Sequence, residues 1–282
     1  MKLIKKTAYL LGNVLIKIYP DKADKLSKDR ITLIHKDKKN LSITERLIRY
    51  ALVRKLEKLT DHNEIARNNY KFWTTKNATQ LFTETASSYE TLFLPHCTFI
   101  FDILERELDK QKRNFNYDYI VEIGTGNGKV LNYLSLRYPE VKKLIGIDLS
   151  YDQIELNKTH FRDNKKLYFV AADAMKWINE YGNSNTLFIS CNGVLEYFLE
   201  DQLLIFLKDI KKLNNIDFIA IEPNGEDHDF SINPKTQLYG NEPSFSHNYP
   251  KLFKDAEFEL WHFSQKPWLG SNGIQTFIGA RG

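Results

Sequence analysis

The sequence is poor in cysteine, with only Cys97 and Cys191 in 282 residues. Neither belongs to a pair with metal-ligand or redox spacing, so the pattern argues against a disulfide scaffold and favours a reducing, cytoplasmic setting. The chain also lacks an apolar run of the ~18 residues that a membrane span requires. Its first apolar stretch is interrupted by Lys17 and is followed by no small-residue cleavage site, which argues against export.

What the sequence does contain is an uneven distribution of charge over an ordinary globular composition. Hydrophobic residues make up 42% and charged residues 27%, which suits one large α/β domain with an extension. Residues 1–60 hold 16 of the 40 Lys and Arg but only 6 of the 36 Asp and Glu, so the remainder is acidic. We therefore predict a basic helical extension over residues 1–78 and a main domain over residues 79–282.

Two amphipathic helices are predicted in this extension. The first ends before Pro20, and the second begins near Ser42, which has capping-box spacing to Glu45. Their apolar stripes are Ile4, Ala8, Leu11, Leu15 and Ile18 in the first helix, and Ile48, Leu52, Leu56 and Leu59 in the second. Basic amphipathic helices can lie on an anionic membrane or bind a polyanion. The pattern alone favours a simpler interpretation, in which the stripes pack on the main domain.

After residue 115, apolar segments alternate with amphipathic ones. The predicted strands are 120–123, 144–147, 167–171, 187–190 and 218–221, and helices are predicted between them. Strands separated by helices of this length imply right-handed crossovers and a doubly wound, parallel α/β sheet covered on both faces. Segments 258–264 and 274–278 predict an antiparallel hairpin at one edge of the sheet.

The first of these strands runs into a Gly-x-Gly-x-Gly loop at Gly124, Gly126 and Gly128. Such a loop puts bare backbone N–H groups at the carboxyl edge of the sheet, where a ligand can approach closely. A dinucleotide oxidoreductase would also have a glycine loop here. However, Lys129 stands where that motif needs a small residue, and Glu122 would repel a pyrophosphate but attract an ammonium group.

Two further carboxylates follow the next strands. Asp148 stands at the tip of the second strand, where it could accept hydrogen bonds from both hydroxyls of a ribose. Asp173 follows the third strand, and it could be a ligand-binding residue, the N-cap of the next helix, or both. Glu122, the glycines, Asp148 and Asp173 follow one another at successive strand ends. Together they are stronger evidence for a ligand-binding site than any one of them alone.

With these motifs, roughly residues 80–282 resemble the class I S-adenosylmethionine-dependent methyltransferases. The resemblance implies a seven-stranded, mostly parallel, Rossmann-like sheet, with S-adenosyl-L-methionine as cofactor. It also implies the contacts of that cofactor. The methionine part would be held by Glu122, Gly124, Thr125, Gly126 and Gly128, the ribose by Asp148, and the adenine by Asp173 and Ala174, with Leu149 and Asn192 completing the set.

A segment upstream of the first strand resembles the lid of that family. It runs from Phe82 to Glu90 and follows the pattern Phe-(acid)-x-x-Ala-x-x-Tyr-(acid), although Thr83 replaces the usual acid. The resemblance implies that Tyr89 closes over the cofactor. The alternative is that Tyr89 is a core aromatic residue beside Phe93.

The sequence gives less information about the methyl acceptor than about the cofactor. Segment 190–197 lacks the Asn/Asp-Pro-Pro-Tyr/Phe motif of enzymes that methylate adenine N6 or amide nitrogen, and it resembles small-molecule members of the family instead. If the acceptor must lose a proton, the candidate bases are His247, Glu222 and Glu196. The cluster of Asp227, His228 and Asp229 reads as a solvated acidic loop, so we predict no metal.

The sequence thus predicts a cytoplasmic enzyme that methylates an oxygen or nitrogen of a small-molecule or saccharide-like acceptor, with peripheral membrane contact through its basic helices. One alternative is a nucleic-acid methyltransferase that uses the basic arm to bind phosphates. The arm lacks a pattern of stacking aromatics and the main domain is acidic, so nucleic acid is not favoured. A second alternative is a cofactor-binding partner protein without turnover.

Overall fold

A computed structural model of the protein describes residues 2–28, 41–56, 62–113, 115–239, 244–268 and 273–282. Within these ranges, the chain begins with the helices α1 (Lys2–Ile18), α2 (Pro20–Lys28), α3 (Ile43–Leu56), α4 (His62–Trp73) and α5 (Lys76–Glu84). Both predicted helices of the extension are present as α1 and α3. The capping box is formed, because Glu45 N donates to Ser42 Oγ at 3.3 Å and Ser42 N donates to Glu45 Oε2 at 2.9 Å.

The apolar stripes of the extension pack among its own helices, whereas the sequence favoured packing on the main domain. Leu15 and Ile48 join a separate small cluster between α1, α2 and α3. Leu11 and Ile18 of the first stripe are more than half exposed, and Leu59 lies outside the described residues. The stripe of α1 is therefore shared between a helix–helix contact and solvent.

The main body alternates strands and helices as predicted. After a π-helical turn (Tyr89–Phe93), a short turn (Leu94–His96) and helix α6 (Phe99–Lys110), the elements are as follows. The strands are β1 (Tyr119–Ile123), β2 (Lys143–Asp148), β3 (Leu167–Ala171), β4 (Thr186–Cys191), β5 (Ile216–Gly225), β6 (Gln237–Tyr239), β7 (Ser244–Ser246), β8 (Glu259–Pro267) and β9 (Gly273–Arg281). The helices are α7 (Lys129–Arg137), α8 (Tyr151–His160), α9 (Ala174–Tyr181), α10 (Glu200–Lys211) and α11 (Tyr249–Asp255), with a short 3₁₀ turn at Leu195–Tyr197.

Seven of the strands form one sheet in the order β3-β2-β1-β4-β5-β9-β8. Strands β1 to β5 are parallel, and β9 runs antiparallel to both β5 and β8. The predicted fold class and edge hairpin are confirmed. Strands β6 and β7, which pair with each other, were not predicted, because the sequence there reads as a polar loop.

Among the described residues, helices cover both faces of the sheet, with one hydrophobic core on either side. Trp177 of α9, Phe206 of α10 and Phe253 of α11 belong to one core, whereas Phe101 of α6 and Leu131 of α7 belong to the other, together with Ile154 of α8. With both faces covered, the carboxyl ends of the parallel strands form the accessible edge where a ligand can bind.

The far end of the sheet is held together by Asp217, a fully buried residue of β5. Its carboxylate accepts hydrogen bonds from Tyr117 Oη at 2.5 Å and Trp261 Nε1 at 2.9 Å, and it lies 3.0 Å from the Arg281 guanidinium. These partners come from the segment before β1, from β8 and from β9. The carboxylate therefore links three parts of the sheet, with its charge balanced by Arg281.

We expect Asp217→Ala to lower the free energy of unfolding by about 3–5 kcal/mol, because it leaves a largely buried arginine without its partner. Urea denaturation followed by circular dichroism measures this change. The matched control is Asp163→Ala, since the Asp163 side chain is 95% exposed. Equal stability of the two variants would show that the Asp217 cluster contributes little.

Candidate active site

A cavity of about 960 Å³ lies at the carboxyl ends of β1, β2 and β4. One wall consists of the loop after β1, the end of β2, and the segments that follow β3 and β4. A second part of the lining comes from α4, α5 and the residues around the 3₁₀ turn. The volume is near the upper end for small-molecule sites, so the cavity has room for a donor and an acceptor side by side.

The glycine loop after β1 adopts a backbone conformation that side chains disfavour. Gly124, Gly126 and Gly128 have φ angles of +68°, +49° and +74°. A Cβ atom on Gly124 would also lie 2.4 Å from Val194 Cγ2. Both constraints explain why the sequence needs glycine at the first position of this loop.

The amides of this loop differ from the sequence-based expectation, because three of them already have protein partners. Thr125 N donates to Ile147 O at 2.9 Å, Gly126 N donates to Asp148 Oδ2 at 2.9 Å, and Gly128 N donates to Thr125 O at 2.9 Å. A dinucleotide site needs such amides for the pyrophosphate. The prediction of bare N–H groups is therefore wrong here, and the correction further weakens the dinucleotide interpretation.

Glu122 is a buried carboxyl group at the cavity wall. Thr125 Oγ1 donates to its Oε2 at 2.6 Å, and Gly146 on β2 leaves room for that threonine, since a Cβ there would lie 2.7 Å from Oγ1. Burial raises the pKa of Glu122 to about 8, and the nearby charge of Asp148 adds to the rise. A cationic group beside Glu122 would stabilise the carboxylate and lower this pKa.

Asp148 is held at the tip of β2 with both carboxylate oxygens in use. Gly126 N donates to Oδ2 and Ser150 N donates to Oδ1, each at 2.9 Å. Burial raises the pKa of Asp148, and these two backbone bonds oppose that rise. Each carboxylate oxygen has a second lone pair, so the fixed group can still accept two hydrogen bonds from a diol in the cavity.

Leu149, Asp173, Ala174 and Asn192 also line the cavity. Asp173 is the N-cap of α9, where its side chain accepts a hydrogen bond from Lys176 N at 3.1 Å. Asn192 has a φ of +65°, and its side-chain oxygen accepts from Gln275 Nε2 at 3.3 Å. The capping role of Asp173 is thus present, and its place on the cavity wall leaves a second role open.

The lid segment lies against the glycine loop. Tyr89 lines the cavity and also stacks on Phe93, with ring centroids 5.7 Å apart, so it combines both roles considered from the sequence. Phe82 lies over the loop, where a Cβ on Gly126 would be 3.1 Å from Phe82 Cε1. Lys129 directly follows the glycine loop and connects it to the lid segment, because its ammonium group donates a hydrogen bond to Glu90 Oε1 at 2.8 Å. The residue that breaks the dinucleotide motif therefore anchors the lid.

Glu196 is the one of the three predicted bases that lines the cavity. It is buried, and Tyr239 Oη donates a hydrogen bond to its Oε2. Tyr239 belongs to β6, so the unpredicted β6–β7 hairpin supplies a partner for this acid.

The structure does not bring His247 or Glu222 to the cavity. His247 is fully buried, with Nδ1 2.7 Å from Thr236 Oγ1 and Nε2 3.1 Å from Phe198 O, and burial lowers its pKa to about 4. Glu222 lies beneath the 192–197 segment and accepts from Val194 N at 3.0 Å, and burial raises its pKa to about 7. Both residues hold backbone in place, so we withdraw them as candidate bases.

In the acidic loop at 227–229, Asp227 and Asp229 are exposed, whereas His228 is buried and makes internal contacts. His228 Nδ1 lies 2.8 Å from Ser246 Oγ, and Nε2 lies 3.0 Å from Asn233 O. Within the described ranges, no three His, Cys, Asp or Glu residues are grouped as metal ligands. The prediction that the enzyme uses no metal remains a prediction.

Sequence reasoning missed one whole wall of the cavity. Helix α4 contributes Arg67, Tyr70, Lys71 and Trp73, although it falls within the predicted extension. Their helical spacing marks a common face, but nothing in the sequence indicates that this face meets the sheet edge. The domain boundary at residue 78 remains a prediction, and residues on both of its sides line the cavity.

Comparisons with known proteins agree with this fold. The sequence model of a family described as a methyltransferase domain matches residues 120–215. No curated protein matches the chain. The fold is similar to that of an S-adenosylmethionine-dependent methyltransferase from Clostridium acetobutylicum, with 13% identity, a TM-score of 0.50, and coverage of 72% of this chain and 100% of the other. It is also similar to a methyltransferase from Leishmania major described as SAM-dependent, with 13% identity, a TM-score of 0.53, and coverage of 80% and 88%.

The family match spans the glycine loop, Asp148 and Asp173, which are the positions on which the sequence resemblance depends. The two solved structures are similar to this chain in fold. Residues 120–215 therefore match a methyltransferase-domain family, and the chain shares the fold of solved S-adenosylmethionine-dependent methyltransferases.

Proposed function

We propose that the protein transfers the methyl group of S-adenosyl-L-methionine to an oxygen or nitrogen of a small-molecule or saccharide-like acceptor. The observation that carries this proposal is the convergence of Glu122, Asp148 and Asp173 on one wall of a cavity with room for a second molecule. The wall formed by α4, α5 and the residues around the 3₁₀ turn is rich in aromatic side chains and bears Arg67 and Lys71. That wall is our candidate acceptor side.

The donor-side residues fit the groups of the cofactor. The Asp148 carboxylate, fixed by two amides, would accept hydrogen bonds from the ribose hydroxyls. Glu122 would pair with the ammonium group of the methionine part, Asp173 and Ala174 would lie beside the adenine, and Tyr89 would cover the site. The cofactor supplies an electrophilic methyl group on a sulfonium, and these residues would orient it and exclude water.

On the acceptor side, the chain needs to do little beyond positioning. The acceptor atom forms a bond to the methyl carbon while the carbon–sulfur bond breaks, with its electron pair passing to sulfur. A hydroxyl or ammonium acceptor must also lose a proton, and Glu196 is the residue we propose to receive it. Its hydrogen bond from Tyr239 would hold the carboxylate in place.

The proposal includes the setting of the enzyme. The basic N-terminal helices would bring the protein to a membrane surface in the cytoplasm. Nucleic acid remains the less favoured partner, because the body of the protein that bears the cavity is acidic.

We expect Asp148→Ala to weaken binding of S-adenosylmethionine by about tenfold or more, because two charge-assisted hydrogen bonds are lost. Isothermal titration calorimetry measures this affinity. Asp163→Ala is the exposed-site control, and Asp148→Asn tests the role of charge with less change in shape. Thermal unfolding of each variant separates a binding defect from a folding defect. Wild-type affinity in a folded Asp148→Ala variant would contradict the ribose assignment.

Binding of the cofactor should release protons at pH 7. With a pKa of about 8, Glu122 is mostly protonated in the free protein, and a neighbouring ammonium group favours its charged form. Affinity should therefore rise as the pH increases toward 8 and stop rising above it. Calorimetry in two buffers of different ionisation enthalpy counts the released protons. Glu122→Gln should abolish the release while Asp173→Asn keeps it, and equal release by both variants would exclude Glu122 as its source.

The function itself is tested by incubating the protein with isotopically labelled S-adenosylmethionine and host-cell extract, followed by mass spectrometry of small molecules. A labelled, low-molecular-mass product is the expected result. Label found only in nucleic acid or protein would overturn the proposed acceptor class. With the product in hand, Glu196→Gln should lower kcat by about 10²–10⁴-fold if the acceptor loses a proton to this residue. Cofactor affinity should be unchanged, and Glu200→Gln serves as the control.

A further inference from the structure

Helix α1 carries an apolar face that is open to solvent. Leu10, Leu11, Val14 and Ile18 are 51–58% exposed. Leu10, Val14 and Ile18 are four residues apart, and Leu11 is three residues before Val14. This spacing puts all four side chains on one side of the helix. An exposed patch of large aliphatic side chains on a helix of a soluble domain indicates a binding surface.

The opposite side of α1 explains why this face must point outward. Gly12 lies at the crossing with α3, where an added Cβ would be 2.2 Å from Leu47 O and 2.7 Å from Ala51 Cβ. Leu15 and Ile16 pack into the cluster that contains Ile48. The close contact at Gly12 fixes the rotation of α1 about its axis. The apolar face is therefore turned away from α3.

Charge indicates what this face meets. Lys6 and Lys17 are exposed, and the helical period puts both beside Leu10 on the edge of the apolar face. Lys22 and Lys25 on α2 are exposed as well, in a region with 16 basic and 6 acidic residues. Apolar side chains bordered by lysines match the headgroup region of an anionic bilayer, where the lysine stems reach toward the phosphates. A second copy of the chain would bring like charges together.

We propose that α1 lies flat on an anionic membrane, with Leu10, Leu11, Val14 and Ile18 in the acyl boundary and Lys6 and Lys17 at the lipid phosphates. In the part of the chain that the structure describes, no helix is both long and apolar enough to cross a bilayer, so α1 would bind the surface without spanning it. This inference deepens the membrane contact in the proposed function. Its test does not measure methyl transfer, so the membrane proposal and the methyltransferase proposal can fail separately.

The test is sedimentation of the full chain with vesicles of phosphatidylcholine alone or mixed with phosphatidylglycerol. We expect binding to the mixed vesicles, reduced at about 0.5 M salt. Leu11→Glu with Val14→Glu should weaken binding about tenfold or more, because apolar burial is lost and charge repulsion is added. The matched control is Leu136→Glu, since Leu136 is 72% exposed on α7. Lys6→Gln and Lys17→Gln should each weaken binding about fivefold.

A second measurement reports where α1 lies. Both native cysteines are buried, so a Val14→Cys variant can be labelled selectively with an environment-sensitive dye. Its fluorescence should rise and shift to the blue on mixed vesicles, whereas dye at Leu136→Cys should not change. Equal vesicle binding by wild type and the Leu11/Val14 double variant would overturn the proposal. So would a wild-type dimer that the double variant dissociates while neither binds vesicles, because the occupant would then be a second copy.

Discussion

The candidate site depends on the fixed carboxylate of Asp148, and one of the two amides that hold it belongs to Gly126. The hydrogen bond from Gly126 connects the glycine loop after β1 to the tip of the neighbouring strand β2. The bond helps to fix the acid that faces the cavity, and it also uses an amide that a pyrophosphate would need. A single contact thus favours a ligand with a diol and disfavours one with a diphosphate.

Burial affects the acids near this edge in different ways, depending on their partners. Glu222 is buried beneath the 192–197 segment, where backbone amides satisfy it, and its carboxylate supports that segment. Glu122 accepts a hydrogen bond from the Thr125 hydroxyl and faces the cavity. Its charged form is therefore the less stable one until a cation arrives. Desolvation acts on both acids. Backbone amides of the protein stabilise the Glu222 carboxylate, whereas the Glu122 carboxylate would need a cationic ligand for the same stabilisation.

The helices before the sheet divide into two groups with different tasks. Helices α4 and α5 close one side of the cavity, and Phe82 of α5 lies directly over the glycine loop. Helices α1, α2 and α3 share a small core of their own, and the tight crossing at Gly12 turns an aliphatic face of α1 outward. Helices α4 and α5 thus shape the candidate site, whereas α1, α2 and α3 present an exposed aliphatic surface.

The sequence by itself determined the fold class, the five parallel strands, the edge hairpin and the acids and glycines that stand at strand ends. These features are local: apolar runs mark strands, and Gly124 to Gly128, Asp148 and Asp173 directly follow strand ends. Only the tertiary structure decided which distant residues share the cavity. It placed Glu196 at the cavity wall beside Tyr239 and left His247 buried. The number of residues between two positions in the sequence does not indicate which of their side chains will face the cavity. The outward face of α1 was decided in the same way, since a helical stripe is identical in sequence whether it meets a protein core or a membrane.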